Sequence, residues 1–364
     1  MKTIFSFLFL AVTSLGIGQE LNDANAIDVN VLKGNVLPHS PELYNLITGH
    51  PDGFMISFSK KTRGKEPWHT LYNYPDYGGY FLYEDFKNEI LGKNIALGAH
   101  YNFYFLNRHL VFKIAQGIAM TSHPYDKFTN PKNKAFGSKY LGNTNLFLTF
   151  KKENIVDQFG IEAGFFFSHF SNGRFKSPNT GINIYGINVG VNYNFDKIKY
   201  KATDSMVSQM KFTQPIKFNF LLRTGINESP TVGSGQKPFY HIGFYADKRI
   251  NKKSALQLGT ELFLTTSLKE YIHYRAIAFP DDHLTYNTDY KRVGVFIGHE
   301  LFINRISLET QIGVYVYRPY NLDIPIYDRL GMKYYITDNI FTGVAVKTHG
   351  FLAEATEFTF GVRL

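Results

Sequence analysis

His169 and Ser171 stand two residues apart in the stretch IEAGFFFSHFSNGRFKSPNTGINIYGINVGVNYNF, residues 161–195. A serine hydroxyl is a poor nucleophile until a nearby base takes its proton, and histidine is the commonest such base. Residues two apart in an extended strand share a face, with Cα atoms about 6.6–6.8 Å apart, close enough for an imidazole to reach a hydroxyl. Asn183 follows fourteen positions after His169, and a side-chain oxygen of this kind can hold an imidazole in one tautomer. The chemistry would be nucleophilic catalysis, with Ser171 as nucleophile and His169 as its general base. The competing reading is structural, because a His-x-Ser pair also suits the polar rim of a strand.

The elements around these residues decide where they point. The stretch reads as strand, polar loop, strand. On the first strand Ile161, Ala163, Phe165 and Phe167 share one parity, which His169 and Ser171 continue. Glu162, Gly164 and Ser168 lie opposite, with Phe166 and Phe170 as apolar exceptions. On the second strand Ile187, Val189, Val191, Tyr193 and Phe195 form the apolar face, Asn188, Asn192 and Asn194 the polar one, and Asn183 has the apolar parity. If the apolar face meets lipid, His169, Ser171 and Asn183 all point outward at the rim of neighbouring strands. Idle polar groups are costly there, which favours the catalytic reading.

The rest of the chain supports such a face. It has 364 residues, 44% hydrophobic and 16% aromatic, with 34 Phe, 25 Tyr and 31 Gly but no Cys. The lack of cysteine excludes disulfide scaffolds, zinc–cysteine sites, iron–sulfur clusters and a thiol nucleophile. Mean hydropathy is −0.19, too low for a helical membrane bundle but suited to strands whose lipid and lumen faces average out. Segments of about ten residues with period-two alternation recur. In one, Ile95, Leu97, Ala99, Tyr101, Phe103 and Phe105 share a face; in others Leu256, Leu258 and Leu262 oppose Gln257 and Glu261, and Phe358 and Phe360 oppose Glu357 and Arg363. Short connections (107–108, 251–253, 338–339) alternate with long polar ones (122–139, 226–237, 266–288, 318–328), as in outer-membrane barrels.

The predicted fold is all-β, a transmembrane antiparallel outer-membrane barrel of about 12–14 strands over residues 53–364. The segment GFMISFSKK at 53–61 is either an odd first strand, merged with its neighbour, or an inward-packed piece. Residues 19–52 read as a periplasmic leader. Residues 1–18, with Lys2, an apolar core from Ile4 to Val12 and small Gly16 and Gly18, read as a Sec-type signal peptide cleaved before Gln19. The net charge of +9 suits an anionic membrane surface; no nucleic-acid-binding motif accompanies it. No metal site or other cofactor is expected, since the acidic residues show no ligand spacing.

The signature SHFSNGRFKSPNTGIN resembles that of the PagL-type lipid A 3-O-deacylases, outer-membrane barrel esterases also described as acyloxyacyl hydrolase-like. His169, Ser171, Asn172, Pro178, Asn179 and Gly181 match it, and the stretches at 68–83 and 129–138 look like longer members of Bacteroidetes type. The resemblance implies a serine esterase that removes an acyl chain from lipid A, with His169 as base, Ser171 as nucleophile and Asn172 near the oxyanion. It departs in one place: where the family carries an acid, this chain has Asn183. An amide can orient an imidazole but cannot offset imidazolium charge. Arg174 and Lys176 are candidates for the lipid A phosphates, since such cations suit phosphate, or are solvated loop charges. The expected partners are lipid A or lipopolysaccharide and the surrounding lipids, with no oligomeric state indicated. The alternatives are a passive porin and a surface-interaction barrel with a vestigial site.

Overall fold

The computed structural model describes residues 24–196, 212, 214–350 and 352–364. The expected signal, 1–18, and the first residues of the expected leader lie outside the described residues. Strands β1 (Ala24–Val36), β2 (Asp52–Lys61), β3 (Asp76–Asp85), β4 (Lys93–Phe105), β5 (Leu110–Thr121), β6 (Tyr140–Val156), β7 (Phe159–Ser171) and β8 (Ile182–Asn194) close into one antiparallel barrel. Strands β9 (Lys217–Asn227), β10 (Lys237–Arg249), β11 (Ser254–Thr265), β12 (Arg292–Ile303), β13 (Ile306–Tyr317), β14 (Ile326–Tyr335), β15 (Ile340–His349) and β16 (Leu352–Arg363) close into a second.

Two expectations are corrected. The single barrel of 12–14 strands is instead two barrels of eight. The upper count of fourteen corresponds to β3 to β16, so most of the strands were legible. Their closure was not: β8 returns to β1, from Ala26 opposite Asn194 to Val36 opposite Ile184. Most of the supposed leader is therefore wall or loop of the first barrel, and residues 53–61 belong to β2, an ordinary strand. β1 resembles a polar leader because its inward positions include Asp28 and Asn30, both buried, while Val29 and Val31 face outward.

The long connections 37–51, 86–92, 122–139 and 172–181 share one rim of the first barrel, and 228–236, 266–291 and 318–325 share one rim of the second. Turns at the opposite rims are short, except 62–75, which carries the helix Pro67–Leu71. The barrels meet at both levels. Ser177 Oγ donates to the Ser229 carbonyl at 2.7 Å on the long-loop rim, and Tyr72 Oη to the Phe302 carbonyl at 2.5 Å on the other.

An eight-stranded barrel leaves an interior just wide enough for side chains to fill, and both lumens are filled. The first has a charged half, where Lys151 contacts Asp28 at 2.6 Å and Glu162 at 3.4 Å. Its long-loop half is apolar, with Phe86, Phe136, Phe147, Phe166, Phe170 and Leu82 in one cluster. The second lumen is ionic: Arg223 pairs with Glu261 and, at 2.8 Å, with Glu309, while Arg329 pairs with Glu261 at 2.8 Å and Glu357 at 2.6 Å. Outside, both barrels present an apolar surface that includes Leu97, Phe165, Ile187, Phe244, Leu258 and Ile312.

Removing one member of a buried ion network strands its partners. Glu261→Ala leaves Arg223 and Arg329 each short of a carboxylate and should destabilise the barrel by about 3–5 kcal/mol. The change is read as a lower urea midpoint in detergent; an unchanged midpoint would show that water replaces the carboxylate without loss.

Candidate active site

The site stands at the long-loop end of β7 and β8. These strands are in register with His169 opposite Asn183, and the pleat sends His169, Ser171 and Asn183 outward, all half-buried. The intervening Phe170 points into the lumen, fully buried, with its ring 6.0 Å from that of Phe86. The apolar exceptions in the pattern are thus the plug on which the catalytic strand end rests.

His169 Nδ1 lies 2.6 Å from Asn183 Oδ1. The contact beyond it fixes the direction of the amide. Asn183 Nδ2 lies 3.3 Å from His39 Nδ1, and His39 Nε2 faces the Thr180 carbonyl at 3.1 Å. A carbonyl only accepts, so in a neutral His39 the ring proton sits on Nε2 and Nδ1 accepts from the Asn183 amide. Asn183 therefore turns its oxygen to His169, whose proton sits on Nδ1. Nε2 is left free to act as a base. The Leu37 carbonyl, 3.2 Å from His39 Nδ1, competes only when that nitrogen is protonated.

Ser171 Oγ accepts from the Gly173 N–H at 3.3 Å. Among the described residues no hydrogen bond joins it to His169, but the two are close. A Cβ placed on Gly181 would sit 3.1 Å from Ser171 Cβ and 3.2 Å from His169 Cε1, so these atoms are at most the sum of those distances apart. Gly181 has φ +72°, a conformation that side chains avoid. Glycine there keeps the space between base and hydroxyl open.

Loop 172–181 is held from two sides. From its own barrel, the Lys134 and Ala135 carbonyls accept from the Thr180 and Gly181 N–H groups at 3.1 and 3.2 Å. Asn172 Nδ2 donates to Ser138 Oγ at 3.0 Å and the Lys176 carbonyl at 2.8 Å. Both amide hydrogens of Asn172 are thereby engaged in bracing the loop, and the donor that stands at Ser171 Oγ is the Gly173 backbone. From the second barrel, the buried Glu228 carboxylate accepts the Ser177 N–H at 2.8 Å and the Gly235 N–H at 3.0 Å. The Glu228 N–H donates to the Arg174 carbonyl at 3.2 Å. Arg174 and Lys176, taken as a pair in the sequence, separate: Arg174 turns into a cavity at the mouth of the second barrel, and Lys176 is exposed.

Sequence comparison accounts for both barrels. Residues 52–192 match the family model described as Lipid A 3-O-deacylase (PagL), and residues 216–364 match the one described as Acyloxyacyl hydrolase, C-terminal domain. The first barrel thus matches the lipid A 3-O-deacylase (PagL) model and the second its C-terminal-domain counterpart. These matches suggest a lipid-modifying hydrolase and, with the barrel fold, support an outer-membrane location. A search of curated proteins finds no match. Among solved structures, CdiB from Acinetobacter baumannii is 9% identical, with 94% of this chain and 60% of that one covered and a TM-score of 0.20. A triple mutant of the Rhodopseudomonas blastica porin is 7% identical over 94% and 99% of the two chains, with a TM-score of 0.19.

Sequence reasoning missed His39, which lies 144 residues from Asn183 in a segment taken for a leader. No local pattern marks it. His39→Ala should lower kcat for ester cleavage about two- to tenfold, the worth of one neutral hydrogen bond. In an Asn183→Glu background the amide is gone, so the same change should cost nothing more. A full loss in both backgrounds would mean that His39 holds the loop rather than the amide.

Proposed function

We propose that this protein is an outer-membrane serine esterase that removes an ester-linked acyl chain from lipid A by 3-O-deacylation. The observation that carries the reading is the hydrogen bond of 2.6 Å between His169 Nδ1 and Asn183 Oδ1, made on the apolar outer face beside Ser171. It supports a base whose Nε2 is unprotonated and a nucleophile two residues away. Ser171 Oγ attacks the ester carbonyl carbon as His169 takes its proton, and the Gly173 N–H, 3.3 Å from Ser171 Oγ, is a backbone donor beside the nucleophile. The sugar oxygen leaves with the proton from His169, and water, deprotonated by the same base, then releases the fatty acid and restores Ser171. Asn183 orients the imidazole and Asn172 positions the loop.

The lipid face suits the substrate. Phe165 and Ile187 lie on the exposed apolar surface below the site, so an acyl chain can stay in the bilayer while its ester meets Ser171. The passive-pore reading is disfavoured, because buried side chains fill both lumens and a cavity among Asp28, Lys151 and Glu162 in the first holds about 10 Å³, room for about one water. Residues 1–18 are assigned, on sequence alone, to a Sec-type signal that delivers the chain to the outer membrane.

Ser171→Ala should abolish release of fatty acid from lipid A, followed by mass spectrometry, while the barrel keeps its heat-modifiable mobility on gels. Near-wild-type turnover would remove Ser171 from the reaction. His169→Ala should be comparably damaging and the double variant little worse, because such residues act as one unit. Restoring an acid with Asn183→Glu should raise kcat on the order of tenfold, below the ceiling set by serine proteases because a carboxylate near lipid also costs desolvation. A folded Asn183→Glu barrel with no gain would mean that imidazolium charge does not limit the rate.

A further inference from the structure

The mouth of the second barrel, on the rim that carries the catalytic loop, holds a cavity of about 330 Å³. That is the size of a small ligand pocket. Most of its wall comes from the second barrel, but Arg174 comes from the first, three residues beyond Ser171. The cavity therefore opens within about 10 Å of chain from the nucleophile.

Its wall carries Glu228, Asp323 and Glu354 together with Arg174 and His349. Glu354 is matched by Arg292 and Lys347, and Asp323 by Arg292 at 3.1 Å and Arg318 at 3.0 Å. Glu228 is occupied by the backbone N–H groups of Ser177 and Gly235. The cations that match these carboxylates, Arg292, Arg318 and Lys347, stand behind the wall, which itself presents Arg174 and His349. Among the described residues the Arg174 guanidinium makes no ion pair. Burial lowers its pKa from the ordinary arginine value, with Glu354, Tyr271 and Asp323 offsetting part of that cost. A half-buried guanidinium remains charged in proteins, and this one has Glu354 and Asp323 nearby without a direct ion pair to either. The remaining wall mixes hydroxyls and an amide (Thr265, Ser267, Asn227) with Tyr271 and Leu268, a surface that can meet both the hydroxyls and the C–H face of a sugar.

We infer that this cavity is the subsite for the phosphorylated sugar headgroup of the acylated lipid, with Arg174 as its phosphate-binding group. The assignment rests on the esterase reading and gives the second barrel its part in it: one barrel cuts the ester while the other holds the headgroup. A phosphate ester on the lipid and free phosphate offer the same anion, so the test must separate them.

The full-length protein in detergent is assayed on lipid A and on dephosphorylated lipid A. Arg174→Gln should raise KM for the phosphorylated lipid about tenfold, as expected for losing a charged hydrogen bond, and far less for the dephosphorylated one. Arg174→Lys should recover part of the difference, and Leu268→Trp, which fills the cavity, should weaken use of both lipids through KM. Equal losses on both lipids for Arg174→Gln, or none, would overturn the assignment. A calorimetric arm needs no turnover: the Ser171→Ala protein should bind lipid A more tightly than its Ser171→Ala/Arg174→Gln counterpart. If Ser171→Ala still cleaves the ester, the esterase reading fails while this binding difference stands or falls by itself. Inorganic phosphate that displaces lipid A at equal concentration would overturn the headgroup assignment in favour of a generic anion site.

Discussion

The register of β7 against β8 is the constraint from which the site follows. With His169 opposite Asn183, the pleat turns the imidazole, the serine and the amide toward lipid. A slip of one residue would turn one strand's set into the lumen, among Phe86, Phe136 and Phe166. The other face of the same strand end is occupied by Phe170, fully buried in the lumen against Phe86. The same period that makes a barrel wall thus brings His169, Ser171 and Asn183 to one face without any dedicated element.

The second barrel bears on the reaction through a loop rather than through the strands. Glu228 and Ser229 grip Ser177, and Gln236 Nε2 reaches the Phe175 carbonyl at 2.9 Å. Loop 172–181 is thereby clamped between its own neighbour, 133–138, and a foreign one, 228–236. Pre-ordering a loop of this kind moves its entropic cost from the moment of binding to the moment of folding.

Much of this was legible in the sequence, and the division has a physical basis. Parity is local, so the outward trio, the lumen residues Glu162, Arg223, Glu261, Glu309 and Arg363, and the long-loop rim could be read from alternation alone. Closure is not local. Whether β8 returns to β1 or continues into β9 depends on pairing between residues 148 to 168 positions apart, and no pattern in either strand announces it. β1 was missed because its inward Asp28 and Asn30 look solvated until a lumen encloses them. His39 and the reach of Arg174 were missed for the same reason, since each acts on a partner brought near only by closure. Asn172 carried a family expectation near the oxyanion, whereas its amide hydrogens serve Ser138 and the Lys176 carbonyl.

The ionic lumen of the second barrel has a consequence for how that barrel can assemble. Its central network draws Arg223 from β9, Glu261 from β11, Glu309 from β13, Arg329 from β14 and Glu357 from β16. The last strand supplies the carboxylate that completes Arg329 and also receives His241 at 2.7 Å. A sheet stopped one strand short would leave Arg329 with Glu261 as its one carboxylate and His241 without its carboxylate, and a buried charge stripped of a partner is costly. The ion pairs that fill the lumen thus favour a closed barrel over a partial sheet.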